Sequence, residues 1–409
     1  MGGIRVGTGH TLQSTDAAAA GTATAAPWLL SSDSHIVEPP DLWTARMPYD
    51  ETLPRVVRED DGDWWYIDGH KTMSFLGIQP GMRFEKNPDL LRTSGTFEEV
   101  VPAAYDPHAY VKANEADGVW GSVIYPSEGL VLFGVPTTDV VTKAMRVYND
   151  WIGEFCAAEP SRLKGIAMLN LDDPQLAEEE LRRCHGRGLA GALITVAPPP
   201  WAPYRSRDFD AFWAAAGDLG MPLSLHVGTE RGDPRAGAPQ LDVKNVPPSV
   251  FVNKDYAVRR TMADLILSGV FERHPDVRIG TVEHELGWIP FFLDQLDYTY
   301  TDRPARGPEW RRFADPDRLP SHFFRTNCFA SFQEDAIGIR LRDLIGVETL
   351  MWGSDYPHTE STFPRSRQIL DGILRGLNPD ERQQITVSNA ARLYSFDQPD
   401  VDPPDSAAS

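Results

Sequence analysis

The stretch Ser32-Asp33-Ser34-His35-Ile36-Val37-Glu38-Pro39 follows a short apolar run, Trp28 to Leu30, near the start of the chain. Side chains alternate between the two faces of a β-strand, so Asp33 and His35 are predicted to point to the same side. Both side chains bind metal ions, and Glu38 supplies a third candidate ligand three residues further on. Taken alone, such a pair is more commonly a capping aspartate and a histidine bonded to the backbone.

The composition limits the classes of protein that the chain can belong to. Its 409 residues are 41% hydrophobic, with a mean hydropathy of -0.35, which favours a soluble protein with a sizeable core. The formal net charge of -20 disfavours nucleic acid and anionic membranes as partners, because both are themselves negative. Three widely spaced cysteines indicate neither a disulfide framework nor a structural zinc site, and they favour a cytoplasmic protein.

The ends of the chain differ in composition from the middle. Residues 1–26 are rich in Ala, Thr and Gly and are predicted to be a disordered leader, since they lack the apolar core of a secretion signal. Residues 397–409 are rich in Asp and Pro and are predicted to be a disordered tail. Between them, residues 27–396 are predicted to be a single domain with an insertion at about 36–105, which would serve as a lid or as a contact in a homo-oligomer.

Strand and helix patterns alternate along the rest of the domain. After the strand that contains Asp33, strands are predicted at 121–125, 163–169, 191–195, 222–226, 277–282, 323–329 and 349–352. Helices are predicted at 106–118, 138–156, 173–186, 208–219, 250–268, 288–297, 335–345, 365–376 and 379–394. Eight strands separated by helices predict an α/β fold of the (β/α)8 TIM-barrel type, whose active site gathers at the carboxyl ends of the strands.

Four of the ten histidines fall at predicted strand ends. His35, His226, His284 and His358 follow strands one, five, six and eight, whereas the others fall in turns, at helix ends or in the leader. Carboxylates accompany these four histidines: Asp33, Glu38, Glu283, Glu285 and Asp355. Mixed imidazole and carboxylate ligands suit iron, zinc or manganese. The set therefore predicts a metal centre.

The Asp33-x-His35 pair, His226, His284 and Asp355 together resemble the amidohydrolase superfamily, in its branch related to aminocarboxymuconate semialdehyde decarboxylase. The resemblance covers residues 28 to 395. It implies that the pair after strand one, the histidine after strand five and the aspartate after strand eight hold one metal. It also implies that His284 acts on the substrate, with Asp355 as the second catalytic residue.

The sequence departs from that branch by carrying Asp33 at the first ligand position and by adding Glu38 and a Tyr356-Pro357-His358 extension. Seven candidate ligands exceed what one six-coordinate ion accepts, which favours two metals. They are Asp33, His35, Glu38, His226, His284, Asp355 and His358.

This combination resembles a sub-branch of dinuclear non-haem iron monooxygenases in antibiotic biosynthesis. That resemblance implies two Fe ions, dioxygen as co-substrate, and hydroxylation of an unactivated carbon in a small molecule linked to coenzyme A.

Two other functions stay open. In the first, the chain is a mononuclear Zn- or Mn-dependent hydrolase or non-oxidative decarboxylase, with Asp33, His35, His226 and Asp355 as ligands and His284 as general acid or base. In the second, it is a catalytically silent barrel, against which the complete ligand set argues, because buried polar groups are costly.

Side chains outside the ligand set can contribute to a substrate pocket. Aromatic residues that can form an apolar pocket, or simply pack in the core, are Trp64, Trp65, Phe75 and Phe133. Arginines that can anchor an anionic substrate, or lie on the surface, are Arg83, Arg92, Arg205 and Arg207.

Overall fold

Eight parallel strands form a nearly closed barrel in the computed structural model, which describes residues 5–6, 10–11, 27–75, 79–85, 92, 94–232, 246–305 and 312–397. Each strand pairs with the next one along the chain. They are β1 (Leu29–Ile36), β2 (Val119–Pro126), β3 (Leu163–Met168), β4 (Gly191–Ile194), β5 (Leu223–His226), β6 (Ile279–Val282), β7 (Cys328–Phe332) and β8 (Leu350–Trp352). The predicted (β/α)8 barrel is confirmed.

The seam between β8 and β1 is joined at the carboxyl ends of the strands. The backbone N–H of Asp355 donates to the carbonyl of Asp33 at 2.9 Å, and the N–H of His35 donates to the carbonyl of Tyr356 at 2.6 Å. Below them, the backbone N–H of Ser354 donates to the buried hydroxyl of Ser31 at 2.8 Å. These bonds bring the predicted ligands of strands one and eight side by side.

Helices and short turns follow the strands and cover the outside of the barrel. The helices are α1 (Pro107–Ala116), α2 (Thr138–Cys156), α3 (Pro174–Gly186), α4 (Asp210–Leu219), α5 (Pro248–Val252), α6 (Tyr256–Leu267), α7 (Val270–Arg273), α8 (Ile289–Asp302), α9 (Pro320–Asn327), α10 (Ala336–Arg340), α11 (Arg342–Ile345), α12 (Ser366–Ile373), α13 (Pro379–Gln383) and α14 (Asn389–Tyr394). A π-helical turn at Gln384–Ser388 joins the last two. Within the described residues, no helix is long and apolar enough to cross a membrane.

Helix starts follow the capping chemistry of the sequence. Asp106 and Asp173 each accept backbone N–H groups of the helix that follows them, and each precedes a proline at the first helical position. Several predicted elements differ from the structure. The helix expected at 335–345 is interrupted at Leu341, and the one expected at 379–394 contains the π-helical turn. The helix expected at 250–268 is split, since residues 253–255 form a turn, and the strand expected at 323–329 begins only at Cys328. Pro320 starts a helix there, so Phe323 and Phe324 are helical rather than extended.

The insertion after β1 carries a three-stranded antiparallel sheet with strands Arg55–Glu59, Gly62–Ile67 and His70–Ser74. In the predicted leader, Arg5–Val6 pairs with His10–Thr11, while most other leader residues and the tail from residue 398 lie outside the described residues. The disorder expected of both ends, and the role of the insertion, stay predictions.

A buried carboxyl joins two outer helices, α1 and α12. Asp117, at the end of α1, accepts the backbone N–H of Ser366 at 3.1 Å and its hydroxyl at 2.5 Å. Burial raises the pKa of Asp117 from 3.8 to about 7, against the opposing effects of the Ser366 bonds and of Arg367.

The raised pKa of Asp117 makes stability depend on pH. Between about pH 4 and pH 7 the folded chain keeps a proton that the unfolded chain releases, so the free energy of unfolding falls by up to ~1.4 kcal/mol per pH unit. The Asp117→Asn variant is expected to lose this fall, since an amide stays neutral. Urea titrations of both proteins from pH 4 to 8 measure the difference, and parallel pH profiles would contradict the expectation.

Candidate metal centre

The structure brings the four predicted histidines to one end of the barrel. His35 lies in β1, His226 ends β5, His284 follows β6, and His358 follows β8. Asp355 lies three residues after β8, in a left-handed conformation with a φ of 59°. The carboxyl ends of parallel barrel strands face the same side, which explains why residues so distant in sequence meet.

The first cluster is formed by Asp33, His35, His226 and Glu283, whose ligand atoms lie within 4.8 Å of one another. Asp33 Oδ1 is 3.5 Å from His35 Nε2 and 3.6 Å from His226 Nε2. Glu283 Oε2 is 3.6 Å from His226 Nε2. The predicted pairing of Asp33 with His35 on one face of the strand therefore agrees with these distances.

Glu283 is absent from the predicted ligand set, although the sequence shows it beside His284. Its backbone is left-handed, with a φ of 66°, and that of Glu285 is left-handed as well, with a φ of 56°. Such conformations are uncommon for residues other than glycine, and they interrupt the two-residue alternation of a strand. The alternation therefore does not predict which of these side chains turns toward the cluster. The Glu-His-Glu run itself was the signal in the sequence.

The second cluster is formed by His35, Asp355 and His358. Asp355 Oδ1 lies 3.3 Å from His35 Nε2 and 2.8 Å from His358 Nδ1. Asp355 Oδ2 accepts a hydrogen bond from the Gln333 amide at 3.0 Å. The other nitrogen of His358, Nε2, lies 2.9 Å from the hydroxyl of Ser127. Nε2 of His358 therefore has a partner in Ser127, whereas Nδ1 lies beside Asp355 Oδ1 and is a candidate ligand atom. Sequence patterns did not single out Ser127 or Gln333.

The three remaining histidines have the arrangement of metal ligands. The Nδ1 atoms of His35, His226 and His284 lie 2.7, 2.8 and 3.0 Å from the carbonyl oxygens of Pro126, Val227 and Lys254. A carbonyl only accepts, so each Nδ1 carries a proton, and in the neutral imidazole Nε2 then carries the lone pair. These three Nε2 atoms are buried and lack a hydrogen-bond partner. The same holds for Oδ1 of Asp33 and Oδ1 of Asp355. Buried polar atoms without a partner are costly, and a cation among them would remove that cost. The residues therefore fit a divalent metal ion.

At the first cluster, the pKa values of Asp33, Glu283 and His226 all lie above their ordinary values. Burial raises the pKa of Asp33, and it raises that of Glu283 to about 8, with Asp355 adding to both shifts. Burial lowers the pKa of His226, but Asp33 and Glu283 outweigh it and the net pKa rises to about 9. A bound cation favours the ionised carboxylates and the neutral imidazole instead.

His284 stands slightly apart from both clusters. Its Nε2 is buried, and burial followed by the nearby His226 and Lys254 lowers its pKa to about 3. His284 therefore remains neutral at physiological pH, with its lone pair on Nε2. A neutral imidazole with this lone pair can accept a hydrogen bond from a substrate, and the catalytic role implied for His284 stays a prediction.

Glu38 does not join the clusters. Its carboxylate accepts the backbone N–H groups of Glu128 and Gly129 at 3.0 and 2.9 Å, and the Glu38 N–H donates to Glu128 at 3.3 Å. Burial and the Glu38 carboxylate hold the pKa of Glu128 well above its ordinary value. Glu38 thus fastens the end of β1 to the turn after β2, which also carries Ser127.

The predicted substrate anchors have other partners. Arg83, Arg92, Arg205 and Arg207 form ion pairs with Glu334, Glu99, Asp264 and Asp210. Trp64, Trp65, Phe75 and Phe133 are fully buried, the last three of them within the hydrophobic core. These aromatic side chains pack the interior, and the four arginines already have carboxylate partners.

A family model described as amidohydrolase matches residues 107–396. The chain is 29% identical over 283 residues to the gamma-resorcylate decarboxylase of Rhodococcus jostii. The matched region covers 64% of this chain and 80% of that protein.

Solved structures share the fold. An amidohydrolase of Mycobacterium avium subsp. paratuberculosis superposes with a TM-score of 0.71 at 20% identity, covering 90% of this chain and 99% of the other. The 5-carboxyvanillate decarboxylase of Novosphingobium aromaticivorans, solved with manganese and 4-hydroxy-3-methoxy-5-nitrobenzoic acid, superposes with a TM-score of 0.63 at 14% identity, covering 90% of this chain and 96% of the other.

The prediction of a dinuclear iron monooxygenase is wrong. The relatives named as decarboxylases catalyse a non-oxidative reaction. The resemblance to monooxygenases therefore no longer supports two iron ions with dioxygen, a role in antibiotic biosynthesis or a coenzyme A-linked substrate. Of the seven predicted ligands, Glu38 joins neither cluster because its carboxylate accepts backbone N–H groups, and the ligand role of His358 stays a prediction. The alternative of one Zn or Mn ion in a decarboxylase fits better.

Proposed function

The chain belongs to the amidohydrolase family, and on that premise we propose that it is a metal-dependent, non-oxidative decarboxylase of aromatic hydroxy acids. The observation that supports this most is the group of buried, unpartnered nitrogen and carboxylate oxygen atoms at the carboxyl end of the barrel. The similarity of the chain to gamma-resorcylate decarboxylase supports decarboxylation as the reaction.

The residues that would hold the metal are Asp33, His35, His226 and Asp355, with Glu283 beside them. Oxygen and imidazole ligands suit manganese and zinc equally, and manganese is the ion in the solved 5-carboxyvanillate decarboxylase. When bound, the ion supplies a Lewis acid that holds and polarises the oxygens of the substrate.

Decarboxylation breaks the bond between the ring and the carboxylate carbon, releases CO2, and leaves an electron pair on a ring carbon that takes up one proton. In the proposed mechanism, Nε2 of His284 accepts the hydrogen of the hydroxyl next to the carboxylate, which directs electron density into the ring, and returns that hydrogen to the oxygen once CO2 has left. Asp355 delivers the proton to the ring carbon, and His358, whose Nδ1 lies 2.8 Å from Asp355 Oδ1, replaces it. These roles use groups that are already oriented by the backbone and by Ser127.

Incubating the manganese-loaded protein with gamma-resorcylate tests the proposal. We expect resorcinol and CO2 to form at equal rates under argon and in air, with one metal ion per chain by elemental analysis. A product that carries an added oxygen atom and forms only in air would contradict it, as would the absence of turnover on gamma-resorcylate and 5-carboxyvanillate alike.

Ser127 provides a test of the Asp355–His358 chain. The Ser127→Ala variant removes the partner of His358 Nε2, so Asp355 is held less firmly, and kcat is expected to fall about 10- to 100-fold, as for other outer partners of metal ligands. Ser127→Thr keeps the hydroxyl and is expected to restore most of the activity. If Ser127→Ala retained full kcat at unchanged metal content, the orienting role would be excluded.

A further inference from the structure

Lys254 lies in the turn between α5 and α6, beside the candidate centre. Its carbonyl oxygen accepts the Nδ1–H of His284 at 3.0 Å, which ties this turn to the end of β6. Its side chain is only 25% exposed. The lysine is therefore held next to His284, the residue that we propose acts on the substrate.

The ammonium group of Lys254 faces carboxylates. Its Nζ is 3.6 Å from Glu285 Oε1, too long for a hydrogen bond, and it interacts electrostatically with Glu283, Glu360 and Asp355. Its Nζ forms no hydrogen bond to any residue in the described ranges. Within the described part of the chain, the three N–H donors of this largely buried charge have no acceptor within hydrogen-bond distance and can bind an anion.

Two arginines among the described residues that follow β5 or contact the loop after β7 are already engaged. Arg83 pairs with Glu334, and Arg231 is bonded to Asp172 and to backbone carbonyls. A substrate anion that enters a region rich in Asp and Glu meets repulsion, which a lysine beside His284 reduces.

We propose that Lys254 binds the carboxylate of the substrate and that Glu285, its present counter-ion, yields part of the pairing when the substrate enters. This inference rests on the proposed function for the nature of the substrate, and it makes Lys254 a residue that selects ring systems bearing a carboxylate. Neutral phenols then gain nothing from it.

The chemistry of the reaction gives this role a kinetic signature. The carboxylate loses its charge as it becomes CO2, so an ammonium that binds it stabilises the ground state at least as much as the transition state. Removal of Lys254 is therefore expected to raise KM and to leave kcat nearly unchanged. One hydrogen bond to a charged group corresponds to about 10- to 100-fold in affinity.

The experiment measures binding to the manganese-loaded protein by calorimetry, with gamma-resorcylate as the carboxylate probe and resorcinol as the matched probe without it. We expect Lys254→Met to weaken gamma-resorcylate about 10- to 100-fold and to leave resorcinol unchanged. Lys254→Arg should retain most of the affinity, and Glu285→Gln should increase it. Lys143→Met, at an exposed position of α2, is the control.

The outcomes separate this inference from the proposed function. Equal binding of gamma-resorcylate to the wild type and to Lys254→Met, or a loss of kcat without a rise in KM, would overturn the role of Lys254 while the decarboxylase could stand. Binding that depends on Lys254 in a protein without turnover would support the lysine and refute the decarboxylase. No binding of gamma-resorcylate by the wild type would overturn both. Thermal unfolding of each variant checks that its fold is retained.

Discussion

Replacing His226 with alanine is expected to abolish metal retention and to lower kcat/KM by ~10³-fold or more. The Nε2 atom of His226 is buried and unpartnered between Asp33 and Glu283, and its Nδ1–H is fixed by the Val227 carbonyl. Without the imidazole of His226, the remaining ligands hold the ion loosely. The several kcal/mol by which a bound metal stabilises the transition state are then lost.

Elemental analysis after dialysis and steady-state kinetics with gamma-resorcylate measure the effect of His226→Ala. The matched control is His185→Ala, because His185 is exposed near the end of α3, far in sequence from the cluster. It should leave metal content and activity unchanged. A His226→Ala protein that keeps one ion per chain and normal kcat/KM would refute the assignment of this cluster as the metal centre.

Replacing Arg231 with methionine is expected to lower the free energy of unfolding by about 3–5 kcal/mol, the largest stability effect that we predict. Arg231 is 2% exposed, and its guanidinium donates to both carboxylate oxygens of Asp172, at 3.0 and 2.6 Å, and to the Val135 carbonyl. Its removal leaves a largely buried carboxylate without its cation, which is the costly state of a broken buried ion pair.

Urea unfolding of the Arg231→Met protein at pH 7 measures this effect. Adding Asp172→Asn to the variant is expected to recover much of the loss, because the uncompensated charge is then gone. Arg146→Met is the control, since Arg146 is 58% exposed where it pairs with Glu180, and such pairs contribute at most about 1 kcal/mol. Arg231→Met losing no more than Arg146→Met would show that the buried pair does not stabilise the fold.

The choice between oxygenase and decarboxylase could not be made by counting ligands. Glu38 and His358 have the residue types of ligands and the right positions along the chain. In the structure, the carboxylate of Glu38 accepts backbone N–H groups, and the imidazole of His358 lies between Asp355 and Ser127. Glu283, which the predicted ligand set leaves out, has its carboxylate beside His226. Residue type therefore indicates that a metal centre is present, and the hydrogen-bond partners indicate which residues belong to it.

The sequence by itself determined the barrel and the location of its site. Strand and helix periods, capping aspartates before prolines, and the four histidines after strands one, five, six and eight are local features, and each depends on only a few neighbouring residues. Local features also predicted that Asp33 and His35 share a face.

Only the tertiary structure decided which of the candidate groups meet. The left-handed backbone at Glu283 and Asp355, the capture of Glu38 by the turn after β2, and the position of Lys254 beside His284 all depend on contacts between segments far apart in the chain. The physical reason is that a strand period fixes the side on which a residue lies, whereas the partner of a buried polar atom is fixed by packing between strands and turns.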